Sequence, residues 1–349
     1  MTKPPAPPDL SIIILSWNVW PLLSACLRSL ETMTRAVPAQ GPQVRLFGPD
    51  DQAHTVEVIV VDNASADATP QQLPVDFPWV RFMQSGANLG FTKGNNLGYQ
   101  ASRGTTVFFL NPDTTLVDPT VSAGTDPCTN GLWVLYQTLL NDPALGLVGP
   151  RLQYGDGEWQ NSRRHFPERL TGFWESTWLG RAWPNNRWAR HYQMADWPAA
   201  FAHDVDWLTG AAMFARRAAL ESIRTQNSPG PFDEHFFMYS EELDLCRRLR
   251  LQGWRIRYEP ATTITHYEGR SSEQVVAARH IRFNTSKVRY YQKYFGQGWA
   301  EALRIYLLLE YCLQILLEGG KLLLRQRPEL RRQRIATYRQ VLADGLRAT

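Results

Sequence analysis

Apolar runs punctuate the first third of the chain, and each stops at a polar or proline-bearing turn. Leu10–Leu15 ends at Ser16-Trp17-Asn18, and Val56–Val61 runs into Asp62-Asn63-Ala64-Ser65. Val80–Met83 precedes a glycine-rich stretch, and Val107–Leu110 stops at Asn111-Pro112-Asp113. Short continuous apolar runs predict strands buried on both faces, and proline cannot continue a sheet ladder. Between the first two runs Leu22, Leu23, Cys26, Leu27 and Leu30 recur at helical spacing. Strands alternating with helices predict a mostly parallel, doubly wound sheet. Downstream the pattern predicts a helix over 132–140 and a strand over 145–152. Strand segments follow within 205–214, then a helix after Ser240 with its stripe at Leu243, Cys246 and Leu249, closed by Gly253. Strands at 254–259 and 262–265 are separated by Pro260, and helices at 281–294 and 299–324 occupy the tail. Residues 37–54 and 117–131 read as insertions.

Open α/β sheets bind ligands beyond the carboxyl ends of their strands, so the turn residues are the candidates for chemistry. Oxygen ligands at Asn111 and Asp113 suit a hard cation shared with phosphate; the same tripeptide also makes an ordinary turn. Asp62 suits a nucleobase N–H or a ribose hydroxyl, or equally a turn cap with Ser65 or Asp67. Neither G-x-G-x-x-G nor a P-loop follows the first strand, which excludes dinucleotide and P-loop sites. Gly86, Gly90, Gly94 and Gly98 predict a loop entering a helix whose backbone approaches a ligand or a neighbouring strand. Gly210-Ala211-Ala212 allows close approach to the contents of a cleft. Glu241 and Glu242 follow the apolar run Phe236–Tyr239. They stand at the edge of an apolar pocket, or simply favour the helix dipole behind Ser240 as cap. His266 is either structural or, beside Asp113, a nitrogen ligand that moves preference from Mg²⁺ toward Mn²⁺.

Composition narrows the class. The 349 residues are 44% hydrophobic and 12% aromatic, enough for one large α/β domain with an appendage, or for two domains. Cys26, Cys128, Cys246 and Cys312 are far apart without metal-ligand spacing, so unpaired thiols in a reducing compartment are expected. The proline-rich start lacks a signal core, so no export and a cytoplasmic location are expected. From Arg270 onward 15 Lys+Arg face 6 Asp+Glu, while the preceding residues hold 22 against 27. An acidic body with a basic tail points the tail at an anionic surface. Six tryptophans between Trp159 and Trp197, interleaved with arginines, suit sugar or base stacking or a membrane interface; otherwise they pack inward. Because those arginines sit in the acidic body, a nucleic-acid-binding role is disfavoured. The apolar stretch 300–317 is broken by Glu301, Arg304 and Glu310, so it does not span a membrane. It either lies on one, with Lys321, Arg325, Arg327, Arg331, Arg332 and Arg334 near acidic headgroups, or packs on the catalytic domain or in a homodimer.

In order, Ser16-Trp17-Asn18, Val61–Ser65, Asn88–Phe91 with Gly94-Asn95-Asn96, Leu110–Asp113, Phe232-Asp233-Glu234 with Phe236–Tyr239, Glu241–Leu245, and His266 with Gly269 and Ser271 resemble the family 2 glycosyltransferases. The likeness is nearest to bacterial rhamnosyltransferase-like members that build cell-surface polysaccharides. It implies a GT-A (nucleotide-diphospho-sugar transferase) catalytic domain over 10–272, with 155–200 a Trp/Arg-rich acceptor-side insertion. Residues 1–9 would be a disordered tail and 273–349 a C-terminal helical region. It further implies inverting transfer from a nucleoside diphosphate sugar (a dTDP- or UDP-sugar, rhamnose by similarity) to a glycan or lipid-linked acceptor. Ser16, Trp17, Asn18, Asp62, Asn88, Gly90, Phe91, Asn95 and Asn111 would meet the nucleotide sugar; Asp206, Trp207, Gly210 and Tyr239 would face the acceptor. Asn111-Pro112-Asp113 stands where the family has Asp-x-Asp, keeping only the second carboxylate. His266 matches a further ligand, so Asp113 and His266 would hold Mg²⁺ or Mn²⁺. The family's acid pair reads Glu-Asp; here Glu242 takes the place of the base, with Glu241 the fallback. A catalytically silent sugar-nucleotide-binding protein is the rival reading, disfavoured because Asp113, Glu242 and His266 occur together.

Overall fold

The apolar runs become strands of one sheet: Leu10–Ser16 (β1), His54–Asp62 (β2), Arg81–Gln84 (β3), Thr106–Leu110 (β4), Leu145–Gln153 (β5), Ala212–Arg216 (β6) and Arg255–His266 (β7). The computed structural model describes residues 6–37, 43–116, 131–175, 177–225, 228–267 and 276–348. β1 pairs in parallel with β2 on one side and β4 on the other, Ser16 opposite Asp62 and Ile14 opposite Leu110, so β1 and β2 end level and β4 stops two residues earlier at the same edge. β6 runs antiparallel beside β4 and β5, and β5 pairs in parallel with β7. The sheet is therefore mixed but parallel along its longest pairings, the layout expected of a GT-A catalytic domain. Its strands are apolar at successive positions because helices cover them; Ile12, Ile13 and Ile14 are all fully buried.

Helices Trp20–Thr32 (α1), Thr69–Asp76 (α2), Gly90–Ala101 (α3), Gly131–Asn141 (α4) and Glu241–Leu251 (α5) accompany the sheet. α1 starts with Pro21, which lacks the amide hydrogen that the first turn would leave unpaired, and it buries Leu23, Cys26, Leu27 and Leu30. In α3 the glycines serve the neighbouring strand: a Cβ on Gly94 would stand 2.3 Å from Leu15 Cδ1, and one on Gly98 2.5 Å from Ile13 Cγ2. Gly253 (φ +86°) follows α5 in the left-handed conformation that a side chain disfavours.

Several expectations change in the structure. Pro260 does not divide two strands; β7 continues through it, its register with β5 shifting between Glu259 and Thr263 as at a bulge. The insertion before β2 contributes a short ribbon, Arg35–Ala36 with Arg45–Phe47, to the edge of β2. Asp9, counted with the tail, is fixed by Thr55, whose N and Oγ1 both donate to Asp9 Oδ2 at 2.8 Å. Ser240 has φ 63° rather than the extended backbone of a capping residue. Cys26, Cys246 and Cys312 are unpaired thiols. Residues 1–5 and 117–130, with Cys128, and Gly269 and Ser271 lie outside the described residues.

The chain forms two compact units, the first from the described residues of 1–164, 198–235 and 241–271, the second from those of 165–197, 236–240 and 272–349. In the second unit Val276–Phe295 (α6), Gln297–Leu323 (α7) and Pro328–Asp344 (α8) pack on one another; the sequence pattern had supplied only the first two. Residues 165–197 add three short helices. Their tryptophans do not pack inward: Trp178, Trp183 and Trp197 are exposed, and Trp174 stacks on Trp188 with ring centres 5.4 Å apart. Among the described residues no helix is long and apolar enough to cross a membrane.

Candidate active site

The Asn111-Pro112-Asp113 turn ends β4, and the chain returns at once as the short strand Thr114–Leu116, antiparallel to the end of β7 with His266 opposite Thr114. Tyr267 N donates to Asp113 O at 2.9 Å. This ladder sets His266 Nε2 3.4 Å from Asp113 Oδ1, with both side chains about nine-tenths buried. His266 Nδ1 lies 3.0 Å from Gln160 Oε1. An amide oxygen only accepts, so Nδ1 donates to it, and Nε2 is the ring nitrogen turned toward the Asp113 carboxylate. A ring nitrogen and a carboxylate at that separation can pair directly or share a cation between them, and a ring held through its other nitrogen is the usual arrangement of a metal-ligating histidine. Among the described residues no cluster of three or more His, Cys, Asp or Glu side chains has metal-binding geometry, so the protein would supply two ligands, and phosphate and water the others. That donor set suits Mg²⁺ or Mn²⁺. Gln160 was not legible in the sequence: it belongs to a two-residue strand, Trp159–Gln160, whose pairing with Leu152 and Gln153 of β5 has no local signature.

The acid pair opens α5. Tyr239 and Ser240 before it both take left-handed φ, 71° and 63°, a conformation costing a side-chain-bearing residue on the order of 1 kcal/mol. Glu241 is 5% exposed, and its Oε2 has no hydrogen-bond partner. Burial first, then the charge of Glu242, drive its carboxyl well above the usual range. Glu242 lies against Gly210, where a Cβ would stand 3.5 Å from the Glu242 Cβ. The next residue, Ala211, accepts through its carbonyl from Asn111 N at 2.9 Å, and Ala212 stands opposite Leu110. The β4–β6 register therefore carries Glu242 to the end of the sheet that holds Asn111 and Asp113. α5 is secured behind by Arg248, which donates to Asp244 Oδ2 at 2.7 Å and to the carbonyls of Ile223 and Pro231. Asp206 N donates to Arg164 O and buried Trp207 stands opposite Arg164, both in the first unit. Tyr239 falls in the second unit, its ring edge-on to Phe283 at 5.6 Å.

The turns after β1 and β2 bind chiefly each other. Asn18 N donates to Ser65 Oγ at 2.9 Å, Asn18 Oδ1 accepts from Ala66 N at 2.7 Å, and Trp20 N donates to Asp67 Oδ2 at 2.7 Å. Both oxygens of buried Asp62 accept from Ser65 N, an Asx turn. Asn88 Oδ1 accepts from Gly90 N and from Asn63 Nδ2, and Asn95 Nδ2 donates to Phe91 O. Asn63 Oδ1 accepts from Leu89 N at 2.8 Å, a role the sequence did not signal. Asn96, quoted only as part of a motif, holds Phe232 by N and O and reaches Glu234. Phe91 sets its ring edge against Phe232 at 5.8 Å. Ser16 Oγ, by contrast, is buried with no hydrogen-bond partner, at the same level as Asp62 and beside half-buried Trp17.

Comparison with known proteins agrees with these motifs. The profile described as "Glycosyl transferase family 2" matches residues 11–124, and that described as "Glycosyltransferase like family 2" matches 153–282. An N-acetylglucosaminyl-diphospho-decaprenol L-rhamnosyltransferase of Mycobacterium tuberculosis is 31% identical over 240 residues, 64% of this chain and 72% of that protein. Rhamnosyltransferase WbbL of Escherichia coli K12 is 41% identical over 63 residues, 18% of this chain and 22% of its own. Among solved structures, the mannosyltransferase PcManGT from Pyrobaculum calidifontis, in complex with GDP-Man and Mn²⁺, has a TM-score of 0.48 at 15% identity, covering 99% of this chain and 88% of its own. S. aureus TarS has a TM-score of 0.44 at 15% identity, covering 78% of this chain and 65% of its own. Matched along both spans and to most of the mycobacterial enzyme, the chain belongs to glycosyltransferase family 2, as a rhamnosyltransferase-like glycosyltransferase.

Proposed function

We propose that the protein transfers a sugar, rhamnose by the names of its relatives, from a nucleoside diphosphate to a hydroxyl of a glycan or lipid-linked acceptor, with inversion, in cell-surface polysaccharide synthesis. The observation that carries this reading is the meeting of Asp113 with His266 at the sheet end to which Glu242 is also brought. An acceptor hydroxyl is a poor nucleophile until a carboxylate takes its proton, a contribution of about 10²–10⁴-fold. Glu242, at the position of the family's base, is that base, and burial and then the charge of Glu242 hold the Glu241 carboxyl above its usual range. Asp113 and His266 would hold Mg²⁺ or Mn²⁺, which would supply positive charge to stabilise the departing diphosphate. Gln160 orients the His266 ring from behind. Ser16 offers an unspent hydroxyl on the nucleotide side, and Asp62, beyond its Asx turn, keeps lone pairs for the ribose. One base and in-line placement of donor and acceptor suffice for single displacement. The enzyme then works in the cytoplasm, at the inner face of the plasma membrane where a lipid-linked acceptor is presented.

The test is a screen of dTDP- and UDP-sugars with Mg²⁺ or Mn²⁺ by thermal shift, followed by transfer to a polyprenyl-diphosphate-linked acceptor. Metal-dependent binding with transfer in the wild type, and transfer lost but binding kept in Glu242→Gln, is expected. Binding without transfer in the wild type would favour the silent sugar-nucleotide binder.

A further inference from the structure

The second unit leaves one long apolar face uncovered. In α7, Ile305, Leu309, Leu313, Leu316, Leu317, Leu323 and Leu324 are exposed, Leu316 by 73% and Leu323 by 86%. At 3.6 residues per turn they fall within about 140° of arc, on the side away from Ala300, Leu303, Leu307, Tyr311 and Glu318, which are buried. The charges that interrupt this stretch in the sequence do not interrupt the face. Glu310 and Glu318 are turned inward, Glu310 to Arg181 at 2.7 Å and Glu318 to Arg331 at 2.7 Å, and Lys321 bends back to Glu318 at 3.3 Å. Hence the outward arc from Ile305 to Leu324 carries no charged side chain.

The same end of the molecule is strongly basic. From Lys321 to Arg339 seven Lys/Arg face a single acid, Glu329. Arg325 and Arg327, directly beyond the exposed leucines, are themselves exposed, both in left-handed turns that end α7 and begin α8. An uncharged apolar arc bordered by a cationic cluster is the chemistry of a helix that lies in the headgroup layer of an anionic bilayer. Charge decides against a second copy of the chain, since pairing this face with itself sets one basic cluster near another or leaves both uncompensated.

We propose that the outward face of α7, from Ile305 to Leu324 with Arg325 and Arg327, docks the protein on an anionic lipid surface without crossing it. The inference deepens the reading of a lipid-linked acceptor and rests on it for its biological sense, but the surface is testable without any transfer reaction. Full-length protein is mixed with phosphatidylcholine vesicles with or without phosphatidylglycerol, at low and high salt, and partitioning is measured by sedimentation. Binding to the anionic vesicles alone, weakened by salt within the screening range, is expected. Arg325→Gln with Arg327→Gln should weaken partitioning on the order of thirtyfold. Leu316→Gln with Leu323→Gln should abolish it while circular dichroism and nucleotide-sugar binding stay unchanged, since both side chains point to solvent. No partitioning at low salt would overturn the proposal. So would leucine substitutions that lower the sedimenting mass in the absence of vesicles, because the face would then belong to a dimer. Failure of transfer with partitioning intact would count against the acceptor reading and leave the docking surface standing.

Discussion

The turns after β1 and β2 and the acid edge around β4, β6 and β7 are built from the same residue types, Asp, Asn, Ser and Glu, yet they spend them differently. In the first region nearly every polar group named in the motifs already has a protein partner: Asn18 with Ser65 and Ala66, Asp62 with Ser65, Asn63 with Asn88 and Leu89, Asn95 with Phe91. In the second, a histidine ring nitrogen stands 3.4 Å from a buried carboxylate, and Glu241 keeps a buried oxygen without a partner. Buried polar groups are ordinarily satisfied, and leaving one unsatisfied costs about 1–3 kcal/mol. Most motif residues in the first region hold loops in place, whereas Glu241 in the second is buried with an oxygen left unpaired.

The sharpest way to break this contrast is at Glu242. Glu242→Gln keeps the size of the side chain and removes the proposed base, so turnover should fall by about 10²–10⁴-fold. Calorimetric affinity for the nucleotide sugar should stay within error. If Glu241→Gln produced that loss and Glu242→Gln did not, the roles within the pair would be exchanged.

A second, smaller effect is expected behind the proposed metal ligands Asp113 and His266. Gln160→Leu removes the acceptor that fixes the His266 ring, so Mn²⁺ affinity, read by electron paramagnetic resonance titration of the free enzyme, should weaken about 10–100-fold. The far-ultraviolet circular dichroism spectrum should not change. An unaltered Mn²⁺ affinity would leave His266 a structural side chain paired with Asp113.

Gln160 also marks where sequence reading stopped. Apolar runs made β1, β2, β4 and β5 legible, and proline after β4 located Asp113, because burial on both faces and ladder termination are local properties. Pairing across 153 positions between Asp113 and His266 came only from the ordered motifs of a known family. The ladder that joins Thr114–Leu116 to β7 has no local signal. Pro260 misled, since a bulge tolerates what a regular ladder would not. α8 was missed because its apolar residues are scattered among charged ones rather than gathered into one buried stripe; only Val341 is buried within it. The glycines of α3 posed an open choice, and Leu15 and Ile13 settle it in favour of the strand for Gly94 and Gly98.

That settlement gives a third test, on the scaffold side of the contrast. Gly94→Ala would set a methyl group against Leu15 in a packed core, and overpacking of this kind costs about 1–3 kcal/mol. Urea unfolding should report that loss. Asn63→Ala, which strips the Leu89, Asn88 and Gly90 contacts, should cost a comparable amount. Losses well below 1 kcal/mol at both sites would mean that the first region is looser than its hydrogen bonds imply.

The smallest expected effect bears most directly on the unsatisfied region. Glu241 is held toward its neutral form by burial and by Glu242, so the folded protein binds a proton there that the unfolded chain gives up above the ordinary value of 4.5. Below that value both states are protonated and the site has no cost. As pH climbs from 4.5 through the raised folded value, the unfolded chain binds fewer protons than the folded one, and stability falls. Gln at this position cannot ionise, so Glu241→Gln should match the wild type at pH 4 and exceed it at pH 8, with a gap in melting temperature on the order of a few degrees. Screening is weak for a group this buried, so the gap should persist at high salt. A wild type that gains stability relative to Glu241→Gln as pH rises would show that the fold prefers Glu241 charged, and would return it to contention as the base.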